Sequence, residues 1–194
     1  MVLGYSNVAA LRQHIRPDER VHGIFTKAGD KPNIVPEHTE AHWYVRAPDK
    51  VHLEALKDRV LGCLTAGALA AGCDMTHRWL EPAYDNMVDN RAMLHRYCEH
   101  AHRVGRDPVE PHGDLVVAGS TDMGNVSHLL PSIHPMVQAA PEGVAIHTAD
   151  FAVHARAPIG DRAVIDGAKA MALTLADLWL DEGYRAEVAA GHPV

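Results

Sequence analysis

The sequence holds little that would tie it to an oxidising compartment, a membrane or a nucleic acid. Its 194 residues include three cysteines, Cys63, Cys73 and Cys98, and no Cys-x-x-Cys pair. That number builds no disulfide framework, and reduced thiols in the cytoplasm are the simple reading. No apolar run approaches the roughly 20 residues a membrane helix needs, and no secretory signal is evident. Lysine and arginine number 18 against 25 aspartates and glutamates, a net charge of −7 with the histidines neutral. An acidic balance argues against nucleic acid, whose binders are more often basic. Internal repeats and low-complexity tracts are absent as well. So is any Glu-Glu pair, and the single His-x-Asp is His112-Gly113-Asp114.

What is present fits a soluble globular chain of one ordinary domain or two small ones: 47% hydrophobic and 22% charged residues. Histidine is the outlier, with fifteen copies. Most of these read as solvated surface groups. The dense exception is Gly119–His147, which holds Ser120, Thr121, Asp122, Asn125, Ser127, His128, His134 and His147. A core does not need such polar, proton-carrying side chains. Gly119 and Gly124 bracket Ser-Thr-Asp-Met and would let the backbone turn sharply beside a ligand. The flanking apolar stretches, Leu115–Ala118 and Ile133–Val137, read as short strands.

Along the chain, Leu3, Val8, Leu11 and Ile15 recur at near-helical spacing, and Pro17 stops the helix. Arg20–Thr26 and Glu37–Ala47 read as two strands of a hairpin joined by a Gly/Pro/Asp loop. Val51–Ala71 is a helix with Leu53, Leu56, Val60, Leu64 and Ala68 on one stripe, ended by Gly72. Cys73–Leu80 reads as a further strand. Asn86 would cap a helix running to about Val104, with Met87, Leu94, Tyr97, Ala101 and Val104 inward and Gly105 at its end. Asp161 would cap a last helix with Val164, Ala168, Met171, Leu175 and Leu178 buried, followed by a frayed tail from residue 185. The fold class is therefore α/β (α+β), with a boundary near residue 82.

The run GSTDMGNVSHLLPSIHP, followed about ten residues on by His147-Thr148, resembles the co-catalytic zinc amidohydrolases. That family includes aminoacylases, carboxypeptidase G-type enzymes and p-aminobenzoyl-glutamate hydrolases, and the likeness extends through almost the whole chain. It implies that residues 1–82 form a ferredoxin-like lid, or dimerisation, domain lacking its first strand, and that residues 83–194 are the C-terminal part of the metal domain. It implies that His147 ligates one of two metal ions, zinc by preference, with manganese or cobalt acceptable to the same ligands. His22, by itself a half-buried strand histidine, would cross a homodimer interface and stabilise the transition state. Asn33, by itself a turn asparagine, would present its amide to substrate. Arg46, by itself an edge charge, would bind the substrate's carboxylate as a planar two-pronged donor. Ser120, Asp122, Gly124 and Asn125 would shape the substrate pocket.

The pattern also departs from the family. A two-metal site needs several histidine and carboxylate ligands and a general base. The family draws these from a His-x-Asp, a later Asp and a Glu-Glu pair, all before the lid. Here His112-Gly113-Asp114 falls in the wrong half of that order and reads as coincidence. The expectation is thus the C-terminal portion of a metal-dependent amidohydrolase acting on an N-acyl amino acid or dipeptide-like substrate, inactive as this chain. The alternative is a non-catalytic dimerisation or binding module whose histidines hold metal weakly.

Overall fold

The structure is a computed structural model and describes residues 1–109 and 119–192. The expected strand Leu115–Ala118, and His112 and Asp114 with it, lie outside the described residues. The fold mixes helices with a small antiparallel sheet, and the chain divides into two compact units, Met1–Asn86 and Met87–Val194.

In the first unit, helix α1 spans Val2–Leu11 and runs into a 3-10 turn at Arg12–His14. Strands β1 (Arg20–Lys27) and β2 (Glu40–Arg46) form an antiparallel hairpin in which Arg20 faces Arg46, His22 faces Tyr44 and Ile24 faces His42. Helix α2 spans Lys50–Ala70, capped by the Asp49 side chain, which accepts from the His52 N–H at 2.9 Å. It ends in a Schellman motif: Gly72 takes φ +64°, its N–H donates to Leu69 O, and the Cys73 N–H donates to Ala68 O. The core is Val8, Val21, Leu56 and Val60, with Trp43, Val45 and Leu64 packed around it. One face of each strand thus turns toward the helices. A side chain at Gly67 would lie 2.3 Å from the Gly4 nitrogen, so bare backbone lets α1 and α2 cross in contact.

Cys73–Leu80, expected as a strand, joins no ladder, and the described sheet has two strands. All but Met75 in that segment are exposed, so no alternate face seats in a core. What anchors it is Lys57, whose ammonium lies 4.7 Å over the Trp79 ring.

In the second unit, helix α3 spans Arg91–Arg103, and its N-cap is Asn90, not Asn86. The Asn90 carbonyl accepts from the Met93 N–H at 3.1 Å, and its amide donates to Val188 O at 2.9 Å. The cap thus falls four residues later than expected, at an asparagine whose side chain also reaches a distant segment. Helices α4 (Met123–Ser127), α5 (Ala149–Ala155), α6 (Pro158–Leu180) and α7 (Glu182–Ala190) follow. Pro158 occupies the first turn of α6, so the helix begins before Asp161. The expected frayed tail is instead α7, capped by Asp181 and fastened by buried Tyr184 and Val188. Ile133–Val137 forms no strand; a single bridge pairs Ser132 with Asp89.

The buried face of α6 is also not the one expected. Gly160, Ala163, Gly167, Ala170 and Thr174 are buried, whereas Val164 is 70% exposed and Met171 and Leu175 are each 51% exposed. Small residues at alternating spacings of three and four let α3 and the Val137 segment lie close to the helix axis. A Cβ on Gly167 would meet Val137 at 3.2 Å. Hydrophobicity alone selected the wrong stripe.

Candidate functional site

The hairpin gathers two of the candidate residues. Directly opposed residues share a face in an antiparallel ladder, as do residues two apart on one strand. Val21 is buried, so the alternate set, Arg20, His22, Ile24, His42, Tyr44 and Arg46, occupies the outer face. His22 and Arg46 are both exposed there, with Tyr44 between them in register. Tyr44 leans on His42, ring centroids 5.3 Å apart. Among the described residues, the Arg46 guanidinium makes no ion pair. It instead lies across the ladder from another arginine, a like-charge juxtaposition that disfavours folding unless an anion relieves it. Asn33 sits apart, exposed in the turn between the strands where the Ile34 N–H donates to Lys31 O at 3.2 Å.

The Gly119–His147 stretch behaves differently. Ser120 and Asp122 are exposed and Asn125 is half-buried on α4. Gly124 is buried inside that helix and does not make the sharp turn expected of it. Its carbonyl accepts from the Ser127 hydroxyl at 2.6 Å, and the Ser127 oxygen in turn accepts from the Val88 N–H at 2.9 Å. Ser127, fully buried, thus ties this loop to Val88. Thr121 stiffens its start by accepting from the Met123 N–H.

His147 carries the one positive φ among the described non-glycine residues, +64°. Left-handed backbone is costly for a side-chain-bearing residue and clusters at functional positions. Thr148 holds the conformation from both sides: its hydroxyl donates to Ala145 O at 2.7 Å and accepts from the Phe151 N–H at 3.1 Å, which also caps α5. The imidazole is exposed. Among the described residues no three His, Cys, Asp or Glu side chains converge on one point. One imidazole does not match the donor set of a two-metal centre.

A polar cluster escaped the sequence reading. His100 is 1% exposed, and its Nε2 lies 2.9 Å from Asp177 Oδ2, which Arg96 also approaches at 2.7 Å. Arg103 donates toward His100 Nδ1 at 3.4 Å, and the Arg96 guanidinium lies 4.4 Å over the Tyr184 ring. The Arg96 bond first, then the His100 bond, holds the Asp177 carboxyl below its ordinary range. The cluster ties α3 to α6 and α7. Its signal in the sequence is faint, because Arg96 and Asp177 are 81 residues apart.

Similarity to named proteins supports an amidohydrolase or peptidase family for this chain. Two proteins named Xaa-Arg dipeptidase, from Mus musculus and Homo sapiens, are 35% and 34% identical to it over 180 residues, covering 91% of this chain and 41% of each relative. A p-aminobenzoyl-glutamate hydrolase subunit of Escherichia coli (strain K12) is 25% identical over 235 aligned positions, covering 94% of this chain and 49% of the relative. The chain therefore spans between two fifths and one half of the curated relatives it matches. No protein-family model matches it. Among the described residues, no helix is long and apolar enough to cross a membrane.

Proposed function

We propose that this chain supplies the substrate-holding part of a metal-dependent amidohydrolase that cleaves the amide bond of an N-acyl amino acid or dipeptide-like substrate. The observation that carries the reading is the outer hairpin face, where Arg46, without an ion-pair partner among the described residues, and His22 stand two ladder positions apart. A planar guanidinium suits a substrate carboxylate, and an imidazole two ladder positions away suits the amide carbonyl beside it. The names of the relatives, a dipeptidase and a p-aminobenzoyl-glutamate hydrolase, both describe such amides. Asn33 contributes its amide from the hairpin turn, while Ser120, Asp122, Gly124 and Asn125 shape the pocket. His147 contributes one ligand to a divalent metal, zinc by preference. The α-β-β-α order of the first unit serves as the ferredoxin-like lid of such an enzyme, working in the reducing cytoplasm.

The test is binding and turnover of p-aminobenzoyl-glutamate by the purified chain. Binding weakened about tenfold or more by Arg46→Ala is expected, from the loss of a charged hydrogen-bonded pair. Equal affinity in that variant would remove the carboxylate assignment. Turnover near 1 per second or faster with added zinc would show a complete catalyst and overturn the holding role.

The hairpin favours a second, compatible reading. Both of its outer ladder edges are unpaired among the described residues, and unpaired edges recruit strands. We propose a homodimer through this unit; a monomer by light scattering at tens of micromolar would exclude it.

A further inference from the structure

The segment that joins α1 to β1 gathers positive charge, two of whose arginines, Arg12 and Arg16, lie outside the hairpin. A notch of about 320 Å³ opens there, lined by Arg12, Ile15, Arg16, Glu19, Arg20 and Val21. Three arginines and one glutamate thus line it, in a chain whose net charge is −7. That carboxylate is already committed: Glu19 is 4% exposed and its Oε2 accepts from the Arg16 N–H at 2.8 Å. Arg20 is fixed as well, its Nη1 donating to the Pro17 and Glu19 carbonyls at 2.5 and 2.6 Å. Two bonds at one nitrogen leave the rest of its five-donor fork open.

The other two arginines are loosely held. Arg16 touches Asp18 at 3.4 Å with both side chains about half exposed, a contact worth little in water. Arg12, exposed, makes no hydrogen bond or ion pair through its side chain among the described residues. Capping of the 3-10 turn that follows α1 does not account for them, because Arg59 performs it, donating to His14 O at 2.9 Å. Arg59 also brings a further positive charge to the same end of the helix. Like charges gathered around a concavity, with their local acid consumed, are stabilised by a bound anion.

We propose that this notch binds a multiply charged oxyanion, a phosphate group or a polycarboxylate, with Arg20 as its fixed wall and Arg12 and Arg16 as the arms that close on it. Planar guanidinium forks match the paired oxygens that both chemistries present. Ile15 and Val21 add apolar lining to the notch. The site shares Arg20 with the Arg46 face but adds Arg12 and Arg16, which lie before the hairpin, and it stands whether or not the amidohydrolase reading does.

The experiment is calorimetric titration of the whole chain with inorganic phosphate, pyrophosphate and citrate at fixed ionic strength, with chloride as the balancing anion. Saturable binding of pyrophosphate or citrate is expected, and the double variant Arg12→Gln/Arg16→Gln should weaken it about tenfold or more. Tighter pyrophosphate assigns a phosphate-bearing ligand, and tighter citrate a polycarboxylate. Arg59→Gln should retain binding, and its melting curve, beside that of the double variant, shows that both fold. Equal loss in Arg59→Gln and the double variant would reveal diffuse attraction and overturn the site. So would loss in Arg46→Ala with none in the double variant, or no saturable binding by any of the three probes at millimolar concentration.

Discussion

The two units solve the same packing problem with different materials. The first, Met1–Asn86, closes on branched aliphatics: Val8, Val21, Leu56 and Val60 are each 1–2% exposed. The second, Met87–Val194, places small residues along α6 and pins its layers with polar groups: Asn90 to Val188, Arg96 and His100 to Asp177, and Arg106 to Asp166 and the Gln138 carbonyl. An aliphatic core tolerates rearrangement as long as volume is kept. A unit held by directional bonds loses a full desolvation cost whenever one partner goes. The first unit should therefore fail by crowding and the second by orphaned polar groups.

Gly67→Val is the largest expected break. Its added side chain would enter the Gly4 backbone, which cannot move aside as a side chain would. A loss of about 3 kcal/mol or more is expected, read by urea unfolding through Trp43, which packs on that core. Next comes Asn90→Ala in the second unit. It removes a helix cap and leaves the buried Val188 carbonyl without its donor, for about 2–3 kcal/mol; the second-unit reporter is Trp179. A loss under 0.5 kcal/mol would show that water replaces the amide.

Asp177→Ala should cost less, about 1–2 kcal/mol at neutral pH, because the carboxylate is partly exposed and screened. Its pH signature separates it from a cavity effect. The folded state holds this carboxyl below its ordinary value, so it binds fewer protons than the unfolded chain. Its stabilisation is complete above the unfolded pKa of about 3.9 and drains away as the pH falls through the lower folded value. The variant should lack that part of the acid limb. An acid limb below about pH 5 identical to the parent's would mean that the Arg96 and His100 contacts add nothing.

The smallest effects sharpen the contrast. Gly62→Ala meets nothing within 4 Å and should stabilise α2 by up to about 1 kcal/mol, opposite in sign to Gly67→Val in the same helix. On α6, Val164→Ser should lie within about 0.5 kcal/mol of the parent, while Ala163→Leu, one residue away, should cost about 1–3 kcal/mol. A reversal of that order would restore the large apolar stripe as the buried one.

The sequence by itself determined the parts whose signal is local. The hairpin alternation, the α2 stripe with Leu56 and Val60 inward, and the stops at Gly72 and Gly105 all follow from period, propensity and backbone freedom within a few residues. So does the placing of His22 and Arg46 on strands, from which their shared face follows once the register is known. Tertiary structure decided the rest. The α3 cap stands at Asn90 and not at the expected Asn86, and its amide bonds a carbonyl 98 residues away on Val188, in a helix expected as a frayed tail. The inward face of α6 depended on how close α3 and Val137 approach, so glycine and alanine displaced larger residues that hydrophobicity alone would bury. The His100–Asp177 pair, and the left-handed turn that presents His147, likewise required backbone placement. A hydrogen bond or a close approach between distant segments leaves no periodic trace in either one, so only the folded chain could place these contacts.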